Sequence, residues 1–428
     1  MKSYQFRYGD RSVGFEIDET NIIGELLGNA AEPAGDIRQA LFASLEQPAG
    51  GPPLSGFARA GDQLAIVVSD RSRSWMRQDL VLPHLIDYLH DICGIEDRDM
   101  TIVIANGTHE GDGPEILAGL VSPEVMGRIE VVNHDSLSED LIWIGTTSRG
   151  TRLRIHPLVA SRKVITLGAC THHVMAGFGG GRKSILPGVA SAEAIRQNHA
   201  HALDPEQPRS NPLIGNSVLE GNPIHEDMCE GAAFLKDMFT INLVMNTDMK
   251  LAHILSGDRF ESWKQACALA DGMYTVPIPC PADAVITSCG GFPKDMSLYQ
   301  GSKVIDNLEP ALKPGGTLIL VAECRDGGGP TEYFDWIRPL REGVLDSALR
   351  KNFTIPGYIF YLNCEQARRY RIMMLSELDI ADAGEMGIEV YRDMDRLLAA
   401  AELKDKTILI VPNGSVVIPK PESAARGV

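Results

Sequence analysis

This chain of 428 residues lacks several features that define large classes of proteins. It has no apolar run of the ~18–20 residues that a membrane-spanning helix needs. Its first residues, 1–6, lack the apolar core of an export signal. It also lacks an excess of basic residues, because the formal net charge is −17, which argues against nucleic acid and anionic membranes as partners. We therefore expect a cytoplasmic protein that acts on a small molecule.

Paired cysteines and the common nucleotide motifs are missing as well. The eight cysteines are scattered, without a C-x-x-C pair or zinc-finger spacing, so we expect reduced thiols. No G-x-G-x-x-G opens a helix after the first strands, which argues against a dinucleotide-binding domain. The phosphate loop of nucleotide hydrolases is excluded because Arg182 stands where that motif has glycine before its lysine.

Apolar runs that alternate with helical stretches are the main pattern of the chain. These runs span residues 63–68, 100–105, 129–133, 164–167, 284–287, 317–322, 371–375 and 407–412. Continuous apolar strands separated by helices predict mainly parallel sheets in an α/β fold. Two short alternating runs on either side of Gly9-Asp10 predict a hairpin at the start of the chain.

A Pro-rich stretch at residues 277–281 predicts a boundary between two α/β domains. We assign residues 1–275 to an N-terminal α/β domain and residues 276–408 to a C-terminal one. The tail, residues 409–428, is expected to pack back on the first domain. Ligands of such folds bind beyond the carboxyl ends of the strands, so we place the active site in the cleft between the domains.

One loop concentrates residues that can do chemistry. It runs from His172 to Gly188 and reads H-H-V-M-A-G-F-G-G-G-R-K-S-I-L-P-G. Glycines let backbone N–H groups converge on a phosphate, and Arg182 and Lys183 add positive charge. The plain alternative is a turn between a strand and a helix, but such a turn has no use for histidine, arginine and lysine together.

Further polar residues follow other predicted strands, come shortly after this loop, or lie in the second domain. Each alone has a structural explanation, as a helix cap, a surface charge or a packed histidine. Together they form an unusual excess of such residues at strand ends in an acidic chain. They are Asp70, Arg73, His109, Asn198, His199, Gln300 and Lys303.

These motifs resemble the nickel-pincer lactate racemases and their relatives that act on 2-hydroxy acids, over essentially the whole chain. The resemblance implies an isomerase that inverts C2 by reversible hydride transfer, with lactate or a sugar acid such as gluconate as substrate. It rests on D-x-x-R at 70–73, G-x-H at 107–109, H-x-x-A-G-F-x-G-G-R-K at 173–183, N-H at 198–199 and Q-x-x-K at 300–303.

The family's cofactor is a pyridinium mononucleotide that clamps nickel between two sulfurs and a ring carbon. The resemblance implies that Lys183 binds it covalently, that His199 is the protein ligand to nickel, and that cofactor biosynthesis enzymes are partners. Asp70 is assigned to the same site, where it orients a neighbouring basic group. The other residues assigned to the cofactor are Gly177, Gly179, Gly180, Gly181, Arg182 and Ser184.

The resemblance also implies two acid/base histidines, His109 and His173, on opposite faces of the substrate. Arg73, Gln300 and Lys303 would hold the substrate carboxylate and hydroxyl. Hydride transfer avoids removing a weakly acidic proton from C2, and each direction needs a base for the alcohol proton. Histidine, with an unperturbed pKa of ~6.5, suits both roles near neutral pH.

Two positions depart from the lactate-specific pattern. Trp75 follows the D-x-x-R motif where a smaller residue is expected, and Glu110 follows His109 where arginine is common among relatives. An acid near the site would disfavour a dicarboxylate and could accept hydrogen bonds from a polyol, which motivates the sugar-acid hypothesis. If both side chains point away from the site, the hypothesis has no support.

Other functions stay open at this stage. An NAD-type oxidoreductase would suit the α/β strands, and a zinc hydrolase could use His109, His173 and His199 around a metal ion. Neither gives the Lys183 loop and the Q-x-x-K motif a role. A protein that stores or matures the nickel cofactor is the non-enzymatic alternative, which the two acid/base histidines disfavour.

Overall fold

The computed structural model describes residues 1–422 and divides into two compact units. We call one the inserted unit, which comprises Ala30–His201 and Pro212–Met273. We call the other the terminal unit, which comprises Met1–Asn29, Ala202–Asn211 and the chain from Tyr274 on. Each unit is built around one six-stranded sheet.

The described residues form twenty strands, which are numbered in chain order. They are β1 (Lys2–Tyr8), β2 (Arg11–Ile17), β3 (Ile22–Glu25), β4 (Leu64–Ser69), β5 (Met100–Ala105), β6 (Glu130–Asn133), β7 (Ile142–Thr146), β8 (Arg152–Ile155), β9 (Lys163–Ala169), β10 (His172–His173), β11 (Gly177–Phe178), β12 (Met238–Met245), β13 (Leu251–Asp258), β14 (Thr275–Ile278), β15 (Ala282–Ser288), β16 (Leu312–Val321), β17 (Arg371–Leu375), β18 (Ile388–Tyr391), β19 (Ile408–Val411) and β20 (Ile418–Pro421).

Sixteen α-helices connect the strands within the same described residues. They are α1 (Ile37–Glu46), α2 (Leu54–Phe57), α3 (Leu82–Asp91), α4 (Pro114–Val121), α5 (Pro123–Arg128), α6 (Pro157–Ser161), α7 (Ala192–His199), α8 (Pro223–Ala233), α9 (Glu261–Tyr274), α10 (Leu298–Gly301), α11 (Lys303–Leu308), α12 (Ile337–Arg341), α13 (Leu345–Lys351), α14 (Ile355–Arg369), α15 (Ile380–Glu385) and α16 (Met394–Ala401).

The sheet of the inserted unit has the strand order β13-β12-β9-β4-β5-β6. Its neighbouring strands are parallel, except that β12 and β13 are antiparallel. Ser69 at the end of β4 pairs with Ala105 at the end of β5. The residues that follow both strands, Asp70 and the turn at 106–109, therefore start at the same edge of the sheet.

A large hydrophobic cluster of the inserted unit lies on one face of this sheet. Leu64, Ile66 and Val68 of β4 are fully buried in it, as the two-residue period of a strand requires. The helix α3 has Pro83 in its first turn, where proline is tolerated, and contributes leucines at 82, 85 and 89 to the same core. Each fully buried leucine stabilises the fold by roughly 1.5–3 kcal/mol.

The sheet of the terminal unit has the order β18-β17-β16-β15-β19-β3, and all its neighbours are parallel. The hairpin of β1 and β2 packs on it, with Phe6, Phe15 and Ile17 in one core with Ile286 and Ile319. The predicted fold class, two α/β units with mainly parallel sheets, is confirmed, and so is the N-terminal hairpin.

The division of the chain differs from the predicted one. Met1–Asn29 belong to the terminal unit, because β3 extends its sheet beyond β19 and the hairpin packs on the same sheet. The short segment Ala202–Asn211 joins it too, where Ser210 donates to Glu365. The start predicted for the second domain, residue 276, lies close to Tyr274.

The tail also packs differently from the prediction. β19 pairs with β15, and β20 pairs with β14, so residues 408–421 belong to the terminal unit instead of the predicted N-terminal domain. The prediction extended to residues 423–428, which lie outside the described residues. Within residues 1–422, none of the helices combines the length and the apolar composition needed to cross a bilayer.

Candidate active site

The first part of the site is a hydrogen-bonded pair of Asp70 and His109. Asp70 follows β4 and is buried, whereas the side chain of His109 is 57% exposed, so the ring is open to a ligand. Nδ1 of His109 lies 2.6 Å from Oδ2 of Asp70. Because a carboxylate accepts, Nδ1 carries the proton, and Nε2 of a neutral His109 has the lone pair.

Asp70 is held as a carboxylate by its surroundings. Burial alone would raise the pKa of Asp70, but the hydrogen bond from His109, the charge of Arg73 and the hydroxyl of Ser72 together lower it. The Ser72 hydroxyl donates to Oδ1 at 2.6 Å, and Nη1 of Arg73 lies 3.5 Å from the same oxygen. An ionised Asp70 therefore stabilises a positive charge on the His109 ring.

A second ion pair ties the same two segments together. Nε of Arg71 lies 3.2 Å from Oδ1 of Asp112, a buried side chain three residues after His109. Asn133 also joins this segment, because its side-chain oxygen accepts from the Asp112 backbone and its amide donates to the Asp112 carbonyl. The segments that carry Asp70 and His109 are thus fixed relative to each other at two points.

The second part of the site is the glycine-rich loop. Its first residues form a hairpin of two short strands, β10 and β11, in which His172 pairs with Phe178 and His173 with Gly177. Gly177 has φ +75°, and a Cβ there would lie 2.5 Å from the carbonyl oxygen of Val218, so only glycine fits. Asn222 supports the loop by donating to the carbonyl of Met175.

Arg182 stabilises this loop from inside. Its guanidinium is almost fully buried and donates to the carbonyls of Ala176 and Phe178 and to Nδ1 of His225. It stacks on the ring of Trp263, 4.0 Å from the centroid. Burial lowers the pKa of Arg182. The sequence assigned Arg182 to the cofactor, and the structure directs these hydrogen bonds to the loop itself.

His173 and Lys183 meet at the centre of the loop. Nζ of Lys183 lies 2.7 Å from Nε2 of His173. On the other side of the ring, the backbone N–H groups of Met175 and Ala176 donate to Nδ1, both at 3.2 Å. The spacing of ten residues in the sequence is therefore a direct contact in the fold.

Backbone hydrogen bonds connect the Lys183 turn to the turn of His109. Lys183 lies in a short 3-10 turn, Gly181–Ser184, and its carbonyl accepts from the N–H of Gly188. The carbonyl of Gly188 in turn accepts from the N–H of Gly107 at 2.9 Å. The structure thus brings the predicted residues of these two motifs to one region of the inserted unit.

His199 ends α7 and is buried near Lys183. Its Nδ1 lies 2.9 Å from the carbonyl of Ile195, which can only accept, so Nδ1 carries the proton. Burial, with the Lys183 side chain as a second contribution, lowers the pKa of His199 to about 3. The ring is therefore neutral at pH 7, and its Nε2 has the lone pair that a metal ligand needs.

The residue before it, Asn198, fixes the helix. Its side-chain amide donates to Oδ2 of Asp227 at 2.8 Å and to the carbonyl of Ile224, both on α8. Asp227 also accepts from the hydroxyls of Thr147 and Thr151. In the Asn198-His199 pair, Asn198 thus fixes the end of the helix, and His199 is held as a neutral ring.

The Q-x-x-K motif lies in the terminal unit. Nζ of Lys303 donates to Oε1 of Gln300 at 2.7 Å and lies 5.2 Å from the ring centroid of Tyr299. The preceding residues pair with a glycine-rich turn, because the N–H groups of Leu298 and Tyr299 donate to the carbonyls of 327 and 328. This pairing fixes the start of the helix that carries Gln300.

Several residues of the site carry no sequence signal. Trp263 donates from Nε1 to the carbonyl of Gly179 at 2.7 Å, and its ring stacks on His225 at 5.3 Å. Both are isolated aromatic residues on helices, which in a single sequence are indistinguishable from ordinary core residues. His172 packs against Phe178 and pairs with Asp271 on α9 at 3.0 Å.

The two positions that suggested a sugar acid differ in their surroundings. Trp75 packs against the hydrophobic core of the inserted unit. Glu110 is exposed beside His109, and its carbonyl accepts from the side chain of Asn106. Among residues 1–422, no three His, Cys, Asp or Glu side chains are grouped closely enough to hold a metal ion.

Two family profiles match most of the chain. The lactate racemase N-terminal domain matches residues 8–210, and the lactate racemase C-terminal domain matches residues 278–419. The lactate racemase of Thermoanaerobacterium thermosaccharolyticum is 29% identical over 98% of this chain and 99% of its own length. The lactate racemase of Lactiplantibacillus plantarum is 28% identical over 98% of this chain and 100% of its own length.

Solved structures agree with these sequence matches. The lactate racemase apoprotein from Thermoanaerobacterium thermosaccharolyticum superposes with a TM-score of 0.87 at 26% identity, covering 98% of this chain and all of that one. A protein from Thermotoga maritima shares the fold, with a TM-score of 0.66 at 16% identity. The match covers 90% of this chain and 97% of that protein.

Proposed function

This chain belongs to the lactate racemase family and is an isomerase, and we propose that it inverts C2 of a 2-hydroxy acid by reversible hydride transfer. The observation that carries the proposal is the contact between His173 and Lys183, next to the turn that holds the Asp70–His109 pair. Both histidines were predicted to be acid/base residues, and each has one ring nitrogen fixed by the protein.

Hydride transfer is the chemistry that two such histidines can assist. The proton on C2 is weakly acidic beside an ionised carboxylate, so a carbanion route is costly. When hydride leaves instead, the hydroxyl loses its proton to a base and a planar 2-keto acid forms. Return of the hydride to the other face inverts the centre, and one histidine on each face serves the two enantiomers.

The residues present fit the nickel-pincer pyridinium nucleotide of the family. When bound, it supplies an electron-poor ring carbon that accepts and returns the hydride. His199 offers one neutral imidazole to the metal, which suits a cofactor that brings its own sulfur donors. Lys183 would hold it covalently, and the backbone of residues 177–184 would surround its phosphate end.

His109 is the better-defined base. Asp70 fixes the proton on Nδ1, so Nε2 can accept the hydroxyl proton of the substrate, and the buried carboxylate stabilises the imidazolium that forms. Arg73, whose side chain is 42% exposed, would bind the substrate carboxylate while it also contacts Asp70. Gln300 and Lys303 are proposed to hold the carboxylate and hydroxyl from the terminal unit.

Lactate is the first substrate to test, because the curated relatives are lactate racemases. A sugar acid such as gluconate remains a second proposal, supported by the exposed Glu110 next to His109. Trp75 gives that proposal no support, because it packs against the core. Clean turnover of lactate without turnover of gluconate would remove the sugar acid.

The function is tested with protein co-expressed with the cofactor biosynthesis enzymes. Intact-mass and peptide-mass spectrometry should find the added mass on Lys183, with stoichiometric nickel. Chiral chromatography should show conversion of L-lactate to the racemic mixture. Lys183→Arg keeps the charge and should lose the adduct and the activity. An unmodified chain without nickel, under conditions that load a known family member, would contradict the cofactor assignment.

A further inference from the structure

Helix α8 is joined to the glycine-rich loop at its first residue. Its N-cap, Asn222, is fully buried, and the side-chain oxygen accepts from the N–H groups of Ile224 and His225. The amide of the same side chain donates to the carbonyl of Met175 at 2.9 Å. We call residues 222–227 the anchor turn, because their contacts reach every segment that carries a predicted cofactor-binding side chain of this loop and of α7.

One side chain of the anchor turn, His225, holds the residue before Lys183. Nε of Arg182 donates to Nδ1 of His225 at 3.1 Å, and the His225 ring stacks on Trp263. Burial and the charge of Arg182 lower the pKa of His225 to about 4, so the ring is neutral at pH 7 and Nδ1 can accept. Arg182 in turn donates to two carbonyls of the loop. His225 thus fixes the backbone segment that carries Lys183.

A second side chain of the anchor turn, Asp227, holds the residue before His199. Oδ2 of Asp227 accepts from the Asn198 amide at 2.8 Å, and the same amide donates to the carbonyl of Ile224. Asn198 and Asp227 are both fully buried, and Asp227 also accepts from two threonine hydroxyls. The anchor turn therefore fixes the end of α7, where His199 lies.

In both segments the anchor turn holds the neighbour of the functional residue and leaves the functional side chain itself alone. Adjacent side chains point in different directions, so a fixed neighbour sets the backbone while Lys183 and Nε2 of His199 stay available to a ligand. Because residues 225 and 227 belong to one helical turn, they also set the two backbone segments relative to each other.

We propose that the anchor turn sets the separation between the covalent tether and the metal ligand, with His225 as a positioning residue for Lys183 and Asp227 as a positioning residue for His199. This inference rests on the proposed function, in which Lys183 and His199 hold the nickel-pincer nucleotide. The two positioning residues act on different ends, so their loss has different consequences. Loss of Asp227 weakens the hold on nickel, and loss of His225 reduces formation of the adduct.

Asp227→Asn tests the ligand end, in protein co-expressed with the cofactor biosynthesis enzymes. An amide accepts through only one of its two polar atoms, so the contacts that hold Asn198 are weakened. We expect a chelator to remove nickel about 10- to 100-fold faster, with the fraction of chains that carry the adduct unchanged. Glu226→Gln is the matched control, an exposed neighbour on the same helix that should change neither quantity. Equal rates of nickel loss in the two variants would overturn the proposal.

His225→Phe tests the tether end in the same preparation. Phenylalanine can keep the stacking on Trp263 but leaves the Nε–H group of buried Arg182 without its acceptor. We expect the fraction of chains with the adduct on Lys183 to fall on the order of tenfold, while the remaining loaded chains lose nickel at the unchanged rate. His225→Gln, whose oxygen can accept from Arg182, should restore much of the adduct. Parallel loss of adduct and nickel in both His225→Phe and Asp227→Asn would reduce α8 to a structural support and contradict the proposal.

Hydrogen exchange of the unmodified chain tests the two anchors without any cofactor. In peptides analysed by mass spectrometry, Asp227→Asn should speed amide exchange on the order of tenfold in residues 195–199 and not in residues 182–186. His225→Phe should do the reverse. Exchange that rises equally in both segments, or in neither, would show that the anchor turn does not hold them separately.

These measurements separate failure of the inference from failure of the function. If the unchanged protein carries the adduct and racemises lactate, but the two variants do not differ in nickel and adduct, the inference is wrong and the function stands. If the unchanged protein acquires no adduct on Lys183, the proposed function falls and the cofactor role of the anchor turn falls with it. The exchange rates then decide the anchoring alone.

Discussion

Asp70 acts at the scale of a single residue, through the ring of His109. Its carboxylate is buried, accepts from Nδ1 at 2.6 Å and has a lowered pKa, so it is ionised over the neutral range. A neighbouring carboxylate, Asp112, is also buried but pairs with Arg71. The two acids therefore allow an effect on chemistry to be separated from an effect on the loops.

We expect Asp70→Asn to lower kcat on the order of 10²- to 10⁴-fold, because the amide neither fixes the tautomer of His109 nor stabilises its charge. Cofactor loading on Lys183 should be retained, as measured by mass spectrometry. Asp112→Asn is the matched control, which should reduce stability more than kcat. Equal losses of kcat in the two variants would show that Asp70 is only structural.

Arg182 shows what a residue type alone leaves open. Beside Lys183, the sequence pointed to an anion-binding arginine, and the guanidinium instead holds two carbonyls of its own loop and stacks on Trp263. The direction of a side chain depends on residues far away in sequence, here 225 and 263, and one sequence carries no information on that pairing. The contact of His173 with Lys183, by contrast, agrees with their shared motif.

Arg182→Lys should lower the free energy of unfolding by about 2–4 kcal/mol, because lysine keeps the charge but loses the planar fork and much of the stacking. Thermal and denaturant unfolding of the unmodified protein measure this. Arg196, exposed on α7, provides the control, and Arg196→Lys should change stability by less than about 0.5 kcal/mol. If Arg182→Lys left the free energy of unfolding unchanged, the stacking and the carbonyl contacts would contribute little to stability.

At the scale of elements, the glycine loop depends on close backbone approaches. The apolar runs predicted eight of the twelve strands in the two large sheets, because a buried strand of a parallel sheet is recognisable from its own residues. The prediction missed β3, β12, β13 and β18. The loop geometry was less predictable, since its close contacts involve Val218, Trp263 and other distant residues. Gly188 is the clearest local case, because a Cβ there would lie 2.3 Å from the carbonyl oxygen of Ser184.

Gly188→Ala should therefore disrupt the turn that holds Lys183. We expect a loss of about 2–4 kcal/mol in unfolding free energy and, by mass spectrometry, less cofactor loaded on Lys183. Gly119 lies within α4 with no atom near its missing Cβ, so Gly119→Ala should be neutral or stabilising by up to about 1 kcal/mol. If the two variants had the same unfolding free energy, the close backbone approach at Gly188 would not contribute to stability.

At the scale of the whole molecule, buried neutral histidines make stability depend on pH. Burial lowers the pKa of His134 to about 4 and that of His199 to about 3. In the unfolded chain both take up a proton near ~6.5. Their contribution is complete above that value and is lost as the pH falls towards the folded pKa.

We expect the unfolding free energy to fall by about 1.4 kcal/mol per pH unit for each of these two groups between about pH 6 and about pH 4. His134→Gln keeps a donor for the carbonyl of Ala190 and should make the slope shallower by about one proton. Denaturant unfolding at a series of pH values measures the slope. An unchanged slope would mean that His134 is protonated in the folded state.

The composition and strand pattern predicted the α/β class and two units with mainly parallel sheets, but not the way the chain is divided between them. Local patterns report on a strand and not on its neighbour, so nothing in residues 22–25 showed that β3 would pair with β19, almost four hundred residues later. The same limit affected the tail, whose strands join the sheet of the second half of the chain.

That long-range pairing affects how the nascent chain folds on the ribosome. All strands of the inserted unit's sheet have been synthesised once Asp258 emerges, so this unit can fold while translation continues. The first strands made must wait, since β3 has no partner until β19 is translated and the apolar face of the β1–β2 hairpin has no sheet to cover. These N-terminal strands thus reach their native contacts long after they are made, and chaperones that bind exposed β edges would have time to bind them.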